Sequence, residues 1–338
     1  MEKKELDRII ANHQHWLKHD CEGWESMKAD LSGADLTAFD LSGVNLSGAY
    51  LFRVNLDKAT LVKANLSGAT LIMAELSGAD LSNADLNGAI LTKANLSGAH
   101  LPMAYLHRAN LSGAILAEAY LSRADLYRAD LYIANLQDAY LSGANMRRAI
   151  LTEAKMSNAI LTEANLSIAN LQDAYLSGAN MRRAILTEAN LSGTNLSGAN
   201  MRRAILRRAN LSGADLYRTA LEFADLSDAV FSPDDEIRKG IILKKAIKGY
   251  KKTAEGIILT AEIPAGAIVF SINGRKCRTN RAIIESTGNQ QILHSMHDPA
   301  FTYRKGDTIV IDDFSLTYNV ECAPGFHFFR TKKEAMEY

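Results

Sequence analysis

Apolar residues recur at every fifth position through the middle of this chain. From residue 31 to residue 231 the fifth residue is nearly always leucine, with methionine or phenylalanine in the few remaining cases. A small residue, almost always alanine, stands two positions earlier, and Asp or Asn commonly lies between the two. The chain therefore contains 41 consecutive units of the form Ala-(Asp/Asn)-Leu-(Ser/Thr)-Gly.

A five-residue period fits neither an α-helix nor a continuous strand. On a helix, each step of five residues turns the leucine by about 140°, so no apolar stripe forms. On a strand, an odd step places successive leucines on opposite faces. A short extended segment followed by a bend avoids both problems, because Ala and Leu then face the same way and the polar residues supply turn chemistry. Repetition of the bend predicts stacked coils with an interior of leucine and alanine.

The period alone does not give the number of sides in each coil. The segment 135–154 recurs identically at 170–189, an offset of 35 residues, which is a whole number of coils for neither three nor four sides. The shorter segment LSGANMRRAIL occurs at 176 and again at 196, and this offset of 20 residues fits four sides. The repeated segments therefore favour four sides without excluding others.

The unbroken repeat over residues 29–231 resembles the pentapeptide repeat family. This resemblance implies a right-handed, four-sided β-helix of about ten coils, with the leucine central on each side and the alanine packed beside it. Some members of that family mimic duplex DNA and modulate type II topoisomerases, through a strongly acidic surface, an end-to-end dimer and loops that interrupt the coil. Residues 29–232 here carry 17 basic and 19 acidic residues and no interruption, so we treat this role as an alternative.

The flanking segments predict three domains in a mainly β protein. Residues 1–28 are expected to form an N-terminal helical cap, since apolar residues recur at helical spacing over residues 3–19. Residues 29–232 form the β-helix and residues 233–338 a small α+β domain. His13, His15 and His19 are interpreted as solvated histidines of the cap helix, because no acidic or cysteine partner stands at a defined metal-ligand spacing.

The last hundred residues lack the repeat and alternate short apolar runs with turn residues. A helix is predicted to start at residues 232–236 (SPDDE), and a second after Thr331, which forms a capping box with Glu334. Strands are predicted at Ile241–Ile247, Gly256–Ile263, Ala267–Ile272, Ala282–Ser286, Thr308–Ile311 and Phe326–Phe329. The segments GRKCR (274–278) and ECAPGFHFF (321–329) are similar to a domain of unknown function that follows pentapeptide repeats in bacterial and phage-related proteins.

Candidate chemistry in the C-terminal domain is limited to Cys277, Arg278, Cys322 and His327, with His294 and His297 near in sequence. A nucleophilic cysteine or a metal site would need such residues. Their spacing matches no zinc motif, so we favour cysteines buried in a β core. A ligand-binding or enzymatic C-terminal domain stays an alternative. We predict no catalytic residue, cofactor or metal, and we interpret the chain as a non-enzymatic protein.

The outward residues carry the functional hypothesis. With four sides per coil, residues 20 apart stack in columns, and residues 140–218 carry 10 basic against 5 acidic residues. A candidate partner-binding face is formed by Arg128, Arg147, Arg148, Arg182, Arg183, Arg202, Arg203, Arg207, Arg208, Tyr120 and Tyr140. The competing interpretation pairs these arginines with Glu153, Glu163 and Glu188 on a solvated surface. His100, Tyr120, Tyr140 and Ile160 form a further column, which either covers backbone or makes a flat contact.

These observations predict an interaction scaffold whose outer walls bind a protein partner, with the C-terminal domain adding specificity. Nucleic acid is a possible but less favoured partner, because basic and acidic residues both number 38 in the whole chain. No apolar run reaches membrane-spanning length, and the N-terminus is charged, unlike a secretory signal. Three scattered cysteines favour a reducing compartment, so we expect a cytoplasmic protein that does not bind membranes.

Overall fold

The structure is a computed structural model, and it forms two compact units, Met1–Leu221 and Glu222–Tyr338. The residues that it describes are 1–221, 224–226, 228–230, 241–242, 246–264, 267–272, 276–279, 281–296, 301–310, 326–329 and 331–337. The domain boundary expected after residue 232 stays a prediction, and the helix start expected at residues 232–236 lies outside the described residues.

The first unit begins with the predicted amphipathic helix, α1 (Lys3–Lys18), followed by a short 3-10 helix at Trp24–Ser26. Leu6 and His13 are the buried residues of α1. His13 is fully buried, and its Nε2 and Nδ1 lie 3.1 Å from the Ser47 carbonyl oxygen and the Ala29 amide nitrogen. The helix is therefore fixed to the first repeats, as expected of a cap.

Between residues 30 and 220 the backbone returns to a neighbouring position every 20 residues. Parallel bridges pair residues 20 apart, from Asp30 with Tyr50 to Asn200 with Ala220. The Leu31 amide donates to the Tyr50 carbonyl (2.8 Å), and the Tyr50 amide donates to the Ala29 carbonyl (2.9 Å). Each unit is thus hydrogen-bonded to the unit four places further along, about 4.8 Å away.

A β-turn connects each unit to the next, and it explains the polar part of the repeat. The Ala34 amide donates to the Leu31 carbonyl (3.0 Å), and Gly33 inside this turn has a φ of 68°. The side chain before the leucine supports the turn, because Asn65 Oδ1 accepts from both the amide (3.0 Å) and the hydroxyl (2.7 Å) of Ser67. Asp or Asn, Ser or Thr, and Gly are therefore selected by one local geometry.

The interior of the solenoid contains the leucines and alanines, as predicted. The leucine-position side chains from Leu31 to Leu211 are at most 1% exposed. Thr194 and Thr219 replace alanine, and their hydroxyls donate to the carbonyls of Leu171 (2.7 Å) and Leu196 (2.8 Å). These hydrogen bonds offset the cost of burying a hydroxyl group.

The turns force many residues other than glycine into left-handed backbone geometry, which gives a stability prediction. Ile133 has a φ of 50° although it is β-branched, and its side chain is 44% exposed. We expect Ile133→Gly to stabilise the protein by about 1 kcal/mol, because glycine adopts this geometry without steric cost. Urea unfolding measures the change. Ile115 is 42% exposed and lies at a bridge position, so Ile115→Gly should destabilise instead; two changes of the same sign would contradict the explanation.

The second unit is built around an antiparallel sheet. Its strands are β1 (Ile241–Ile242), β2 (Ile247–Lys252), β3 (Ile258–Ile263), β4 (Ile268–Ile272), β5 (Lys276–Thr279), β6 (Arg281–Ser286), β7 (Leu293–His294), β8 (Thr302–Tyr303), β9 (Thr308–Val310) and β10 (Phe326–Phe329). Eight of them form one sheet in the order β1-β4-β5-β10-β2-β3-β6-β9, and β7 pairs with β8. The sequence analysis missed β5, β7 and β8, and it placed only the first residue of β2 in a strand.

The predicted C-terminal helix is confirmed as α2 (Lys332–Glu337). Its capping box is present, since the Glu334 amide donates to Thr331 Oγ1 (3.2 Å) and the Thr331 amide donates to Glu334 Oε2 (3.2 Å). Ala335 on this helix is fully buried. The second unit is therefore an α+β arrangement over its described residues.

Candidate functional site

The predicted arginines lie on two stacks of β-turns. We call the stack with central residues 122–123, 142–143, 162–163, 182–183 and 202–203 the first turn ladder, and the stack with 107–108, 127–128, 147–148, 167–168, 187–188 and 207–208 the second turn ladder. Hydrogen bonds join neighbouring turns, as from the Arg183 amide to the Arg202 carbonyl (3.0 Å) and from the Arg128 amide to the Arg147 carbonyl (3.1 Å). All nine arginines of the predicted face are exposed on these two ladders.

Ion pairs neutralise part of this charge, as the competing interpretation expected. Arg183 Nη1 lies 3.0 Å from Glu163 Oε1, and Arg208 Nη1 lies 3.6 Å from Glu188 Oε1. Both pairs join residues 20 apart and are exposed, so each contributes little to stability. The two ladders together contain eleven arginines and only two glutamates. They therefore keep a large positive excess.

An aromatic and arginine cluster occupies the middle of the second turn ladder. His107 stacks on Tyr127 with ring centroids 5.1 Å apart, and the Arg128 guanidinium lies 5.3 Å from the centre of the tyrosine ring. Arg148 Nη1 donates to the Tyr127 hydroxyl (3.5 Å). The contacts hold planar guanidinium groups beside an aromatic surface, an arrangement that suits carboxylate recognition.

An apolar strip runs between the two ladders. Ile185 and Ile205 are bridged neighbours, and Ile205 is 37% exposed. In each layer the isoleucine follows one arginine-bearing turn of the first ladder and precedes a turn of the second. The surface thus has an apolar centre and a charged rim, as protein interfaces commonly do.

The predicted aromatic column is present beside the first turn ladder. His100 stacks on Tyr120 at 4.6 Å, and Tyr120 stacks on Tyr140 at 4.7 Å with parallel rings. Tyr120 and Tyr140 are 40% and 37% exposed. The rings cover one another's faces, so they present mainly their edges to a partner. The assignment of this column to a binding face stays a prediction.

The structure does not bring the C-terminal candidate residues together. Cys277 is fully buried in the core and faces Phe328 across the β5–β10 pair, whereas His327 is in register with Arg278. Adjacent residues of a strand point to opposite faces of the sheet, so the side chains of Cys277 and His327 point apart. Cys322 and His297 lie outside the described residues. The buried position of Cys277 fits the interpretation as a core residue.

The sequence analysis missed a histidine–carboxylate pair in this unit. Glu255 Oε1 lies 2.6 Å from His294 Nδ1, and the His294 amide donates to the same oxygen (2.9 Å). Residues 39 apart in sequence give no spacing signal, so only the tertiary structure reveals the pair. Both groups are partly exposed, and the contact joins two loops beside the sheet.

This pair gives a pH prediction. The hydrogen bond from His294 lowers the pKa of Glu255 from 4.5 to about 2. Because the folded pKa is the lower one, the pair stabilises the loops above pH 4.5 and loses this effect as the pH falls toward 2. An NMR titration should place the Glu255 midpoint near 2. The same titration in His294→Asn should move the midpoint upward, and an unchanged midpoint would contradict the assigned cause.

Comparison with sequence families agrees with the geometry of the first unit. Eight pentapeptide repeat copies match over residues 29–68, 64–102, 104–132, 134–167, 169–203 and 195–232. The chain belongs to the pentapeptide repeat family. Its resemblance to a second domain is also confirmed, since residues 239–335 match a family of unknown function, DUF5758. No curated protein matches the chain.

Solved pentapeptide repeat structures are similar to part of this chain. HetL, involved in heterocyst differentiation regulation in the cyanobacterium Nostoc sp. strain PCC 7120, is 35% identical, with 64% of this chain and 95% of HetL covered and a TM-score of 0.46. Rfr23 from the cyanobacterium Cyanothece 51142 is 37% identical over 29% of this chain and 64% of Rfr23, with a TM-score of 0.19. QnrB1, a plasmid-mediated fluoroquinolone resistance protein, is 18% identical over 59% of this chain and 92% of QnrB1, with a TM-score of 0.17.

Family membership identifies the first unit as a pentapeptide repeat β-helix. Pentapeptide repeat proteins are generally non-enzymatic structural or interaction proteins. None of the helices that the structure describes is long and apolar enough to cross a membrane. The candidate surface is therefore the outer wall of the repeats, and its arginines are the residues to test.

Proposed function

We propose that this pentapeptide repeat protein is a non-enzymatic scaffold that binds an acidic protein partner on its two turn ladders. In this proposal the repeats form a right-handed, four-sided β-helix of about ten coils, and residues 233–338 add specificity in a cytoplasmic protein. The apolar strip of Ile185 and Ile205, flanked on both sides by arginine-bearing turns, is the observation that carries the proposal.

The chemistry of the strip favours a protein surface. Isoleucine side chains gain free energy when a partner removes them from water, at about 25 cal/mol per Å² of apolar area. The surrounding arginines bind carboxylates in bidentate geometry and increase the association rate with an acidic partner. Arginine is also among the residues that contribute most to binding energy in protein interfaces.

Nucleic acid fits this surface less well. The basic residues cluster in the later repeats, whereas residues 29–100 carry 4 basic and 7 acidic residues. A duplex that followed the length of the solenoid would meet repulsion there. The same arginine ladders also argue against mimicry of duplex DNA, which needs an acidic surface.

The test reverses charge on the proposed surface without changing the interior. Arg202→Glu combined with Arg207→Glu should reduce capture of the partner by the full-length protein about tenfold or more, since repulsion replaces attraction at the rim of the strip. The matched control is Lys58→Glu combined with Lys93→Glu, two substitutions at exposed turn positions outside the two ladders. The partner is first obtained by cross-linking to photoreactive residues placed at Ile185 and Ile205, then purified for binding measurements.

Three results would contradict the proposal. Equal loss of binding in both double variants would point to net charge rather than to this surface. Loss of capture after nuclease treatment would indicate nucleic acid. Inhibition of gyrase supercoiling by the purified protein would favour the topoisomerase alternative.

A further inference from the structure

We infer that the segment after α1 forms a zinc site from His15, Asp20 and Cys21. One nitrogen, one carboxylate oxygen and one sulfur from these residues lie within 4.8 Å of one another. The sequence analysis rejected a metal site on this helix because no acidic or cysteine partner was evident. The structure supplies both partners, since the chain turns back at the end of α1.

The local backbone explains this arrangement. His19 ends α1 in left-handed geometry, with a φ of 54°, and its amide donates to the His15 carbonyl (2.8 Å). This turn directs Asp20 back toward the last turn of the helix, where its Oδ1 lies 2.7 Å from His15 Nδ1. The other two histidines of the segment are engaged elsewhere, because His13 is buried against the repeats and His19 stacks on Trp24 at 3.7 Å.

The donor set and spacing suit zinc. Zinc binds imidazole, carboxylate and thiolate at 2.0–2.3 Å, so tetrahedral ligands lie about 3.5 Å apart. The three donor atoms reach this spacing by side-chain movements of roughly 1 Å, and all three side chains are at least partly exposed. The Met27 sulfur lies 3.6 Å from Cys21 Sγ and offers a fourth, softer contact, while water completes the shell otherwise. A helix C-terminus also stabilises a nearby cation.

Binding changes the protonation of the site in a measurable way. The Cys21 thiol must lose its proton to form the zinc–sulfur bond, so each ion bound at neutral pH releases one proton to the buffer. His15 binds through its unprotonated Nδ1, which replaces its contact with Asp20. Affinity should therefore rise as the pH increases.

Cobalt and zinc titrations of the full-length protein test the site. Addition of Co²⁺ should produce a thiolate-to-cobalt charge-transfer band, which Zn²⁺ removes. The band should be lost in Cys21→Ser, and Asp20→Asn should weaken Zn²⁺ binding about tenfold or more. His19→Gln, a neighbouring exposed histidine outside the donor set, should leave the affinity unchanged.

The outcomes separate this site from other thiols. Circular dichroism confirms that each variant stays folded, which the exposure of the three residues favours. Absence of a band in the unmodified protein would overturn the inference. A band that persists in Cys21→Ser would place the metal at another cysteine and would overturn it equally.

Discussion

Replacement of Leu126 by alanine should destabilise the first unit by about 2–5 kcal/mol. Leu126 lies in the middle of the repeats and is completely buried. The units above and below it are held by backbone hydrogen bonds, as from the Leu126 amide to the Asn145 carbonyl (2.8 Å). The cavity therefore cannot close without breaking the regular spacing of the layers, so most of its cost should remain. Urea unfolding followed by circular dichroism measures the loss.

The matched control for this prediction is the same substitution near the end of the solenoid. Leu216 occupies the equivalent repeat position but is only partly buried. Leu216→Ala should therefore cost clearly less than Leu126→Ala, since less apolar area is lost. Equal effects at the two positions would show that burial in the interior does not set the stability of the repeats. Hydrogen exchange should also show that protection near Leu126 falls most in the layers next to the cavity.

The repeat unit could be predicted from sequence because one local geometry is used throughout. Leucine and alanine fill the interior, and the Asx side chain with the following Ser and Gly builds the turn, as at Asn65, Ser67 and Gly68. The stacking interval follows less directly from the residues, since the repeated segments give offsets of both 35 and 20. Backbone pairing decides this interval, and side-chain patterns report it only where a column is filled consistently.

The candidate surface was predicted only in part. The arginine positions were identified from a 20-residue column spacing, but their division between two ladders and the intervening isoleucine strip required the turn positions. The contacts of Tyr127 with Arg128 and Arg148 were missed, because tyrosine at that turn position occurs as a single residue without a repeating pattern.

The second unit was harder to predict for a different reason. Its strands are short and its contacts are distant in sequence, as with Glu255 and His294. Strand β5 (Lys276–Thr279) has a charged sequence, yet it lies inside the sheet between β4 and β10 and buries Cys277 and Thr279. Tertiary context therefore overrides the local preference of the chain. By contrast, the capping box of α2 involves residues three apart, and it was predicted correctly.

The N-terminal cap should release from the repeats as the pH falls below that of a normal histidine titration. His13 Nδ1 accepts from the Ala29 amide, so its Nε2 carries the proton donated to the Ser47 carbonyl, and the buried ring is neutral. Burial lowers the pKa of His13 below its ordinary value of 6.5. The undocked segment then binds a proton that the docked one excludes. Docking is therefore fully stable above pH 6.5 and weakens as the pH falls toward the lower folded pKa.

Tryptophan fluorescence measures this release directly. The chain has two tryptophans, Trp16 and Trp24, and both lie in the N-terminal segment. Trp16 stacks on His13 with ring centroids 5.2 Å apart, so its emission should change when the helix leaves the repeats. His13→Ala should weaken docking by about 2–4 kcal/mol, since it leaves the Ala29 amide and the Ser47 carbonyl without their partner.

A second variant separates the proton effect from the loss of packing. His13→Gln keeps a polar side chain but has no titrating group near pH 6.5, so the fluorescence change between pH 8 and 5 should disappear. His100→Gln is the control, because His100 stacks on Tyr120 in the repeats, away from the cap. It should leave the pH dependence intact. If the pH dependence survived in His13→Gln, another group would be responsible, and the neutral buried histidine would not control docking of the helix.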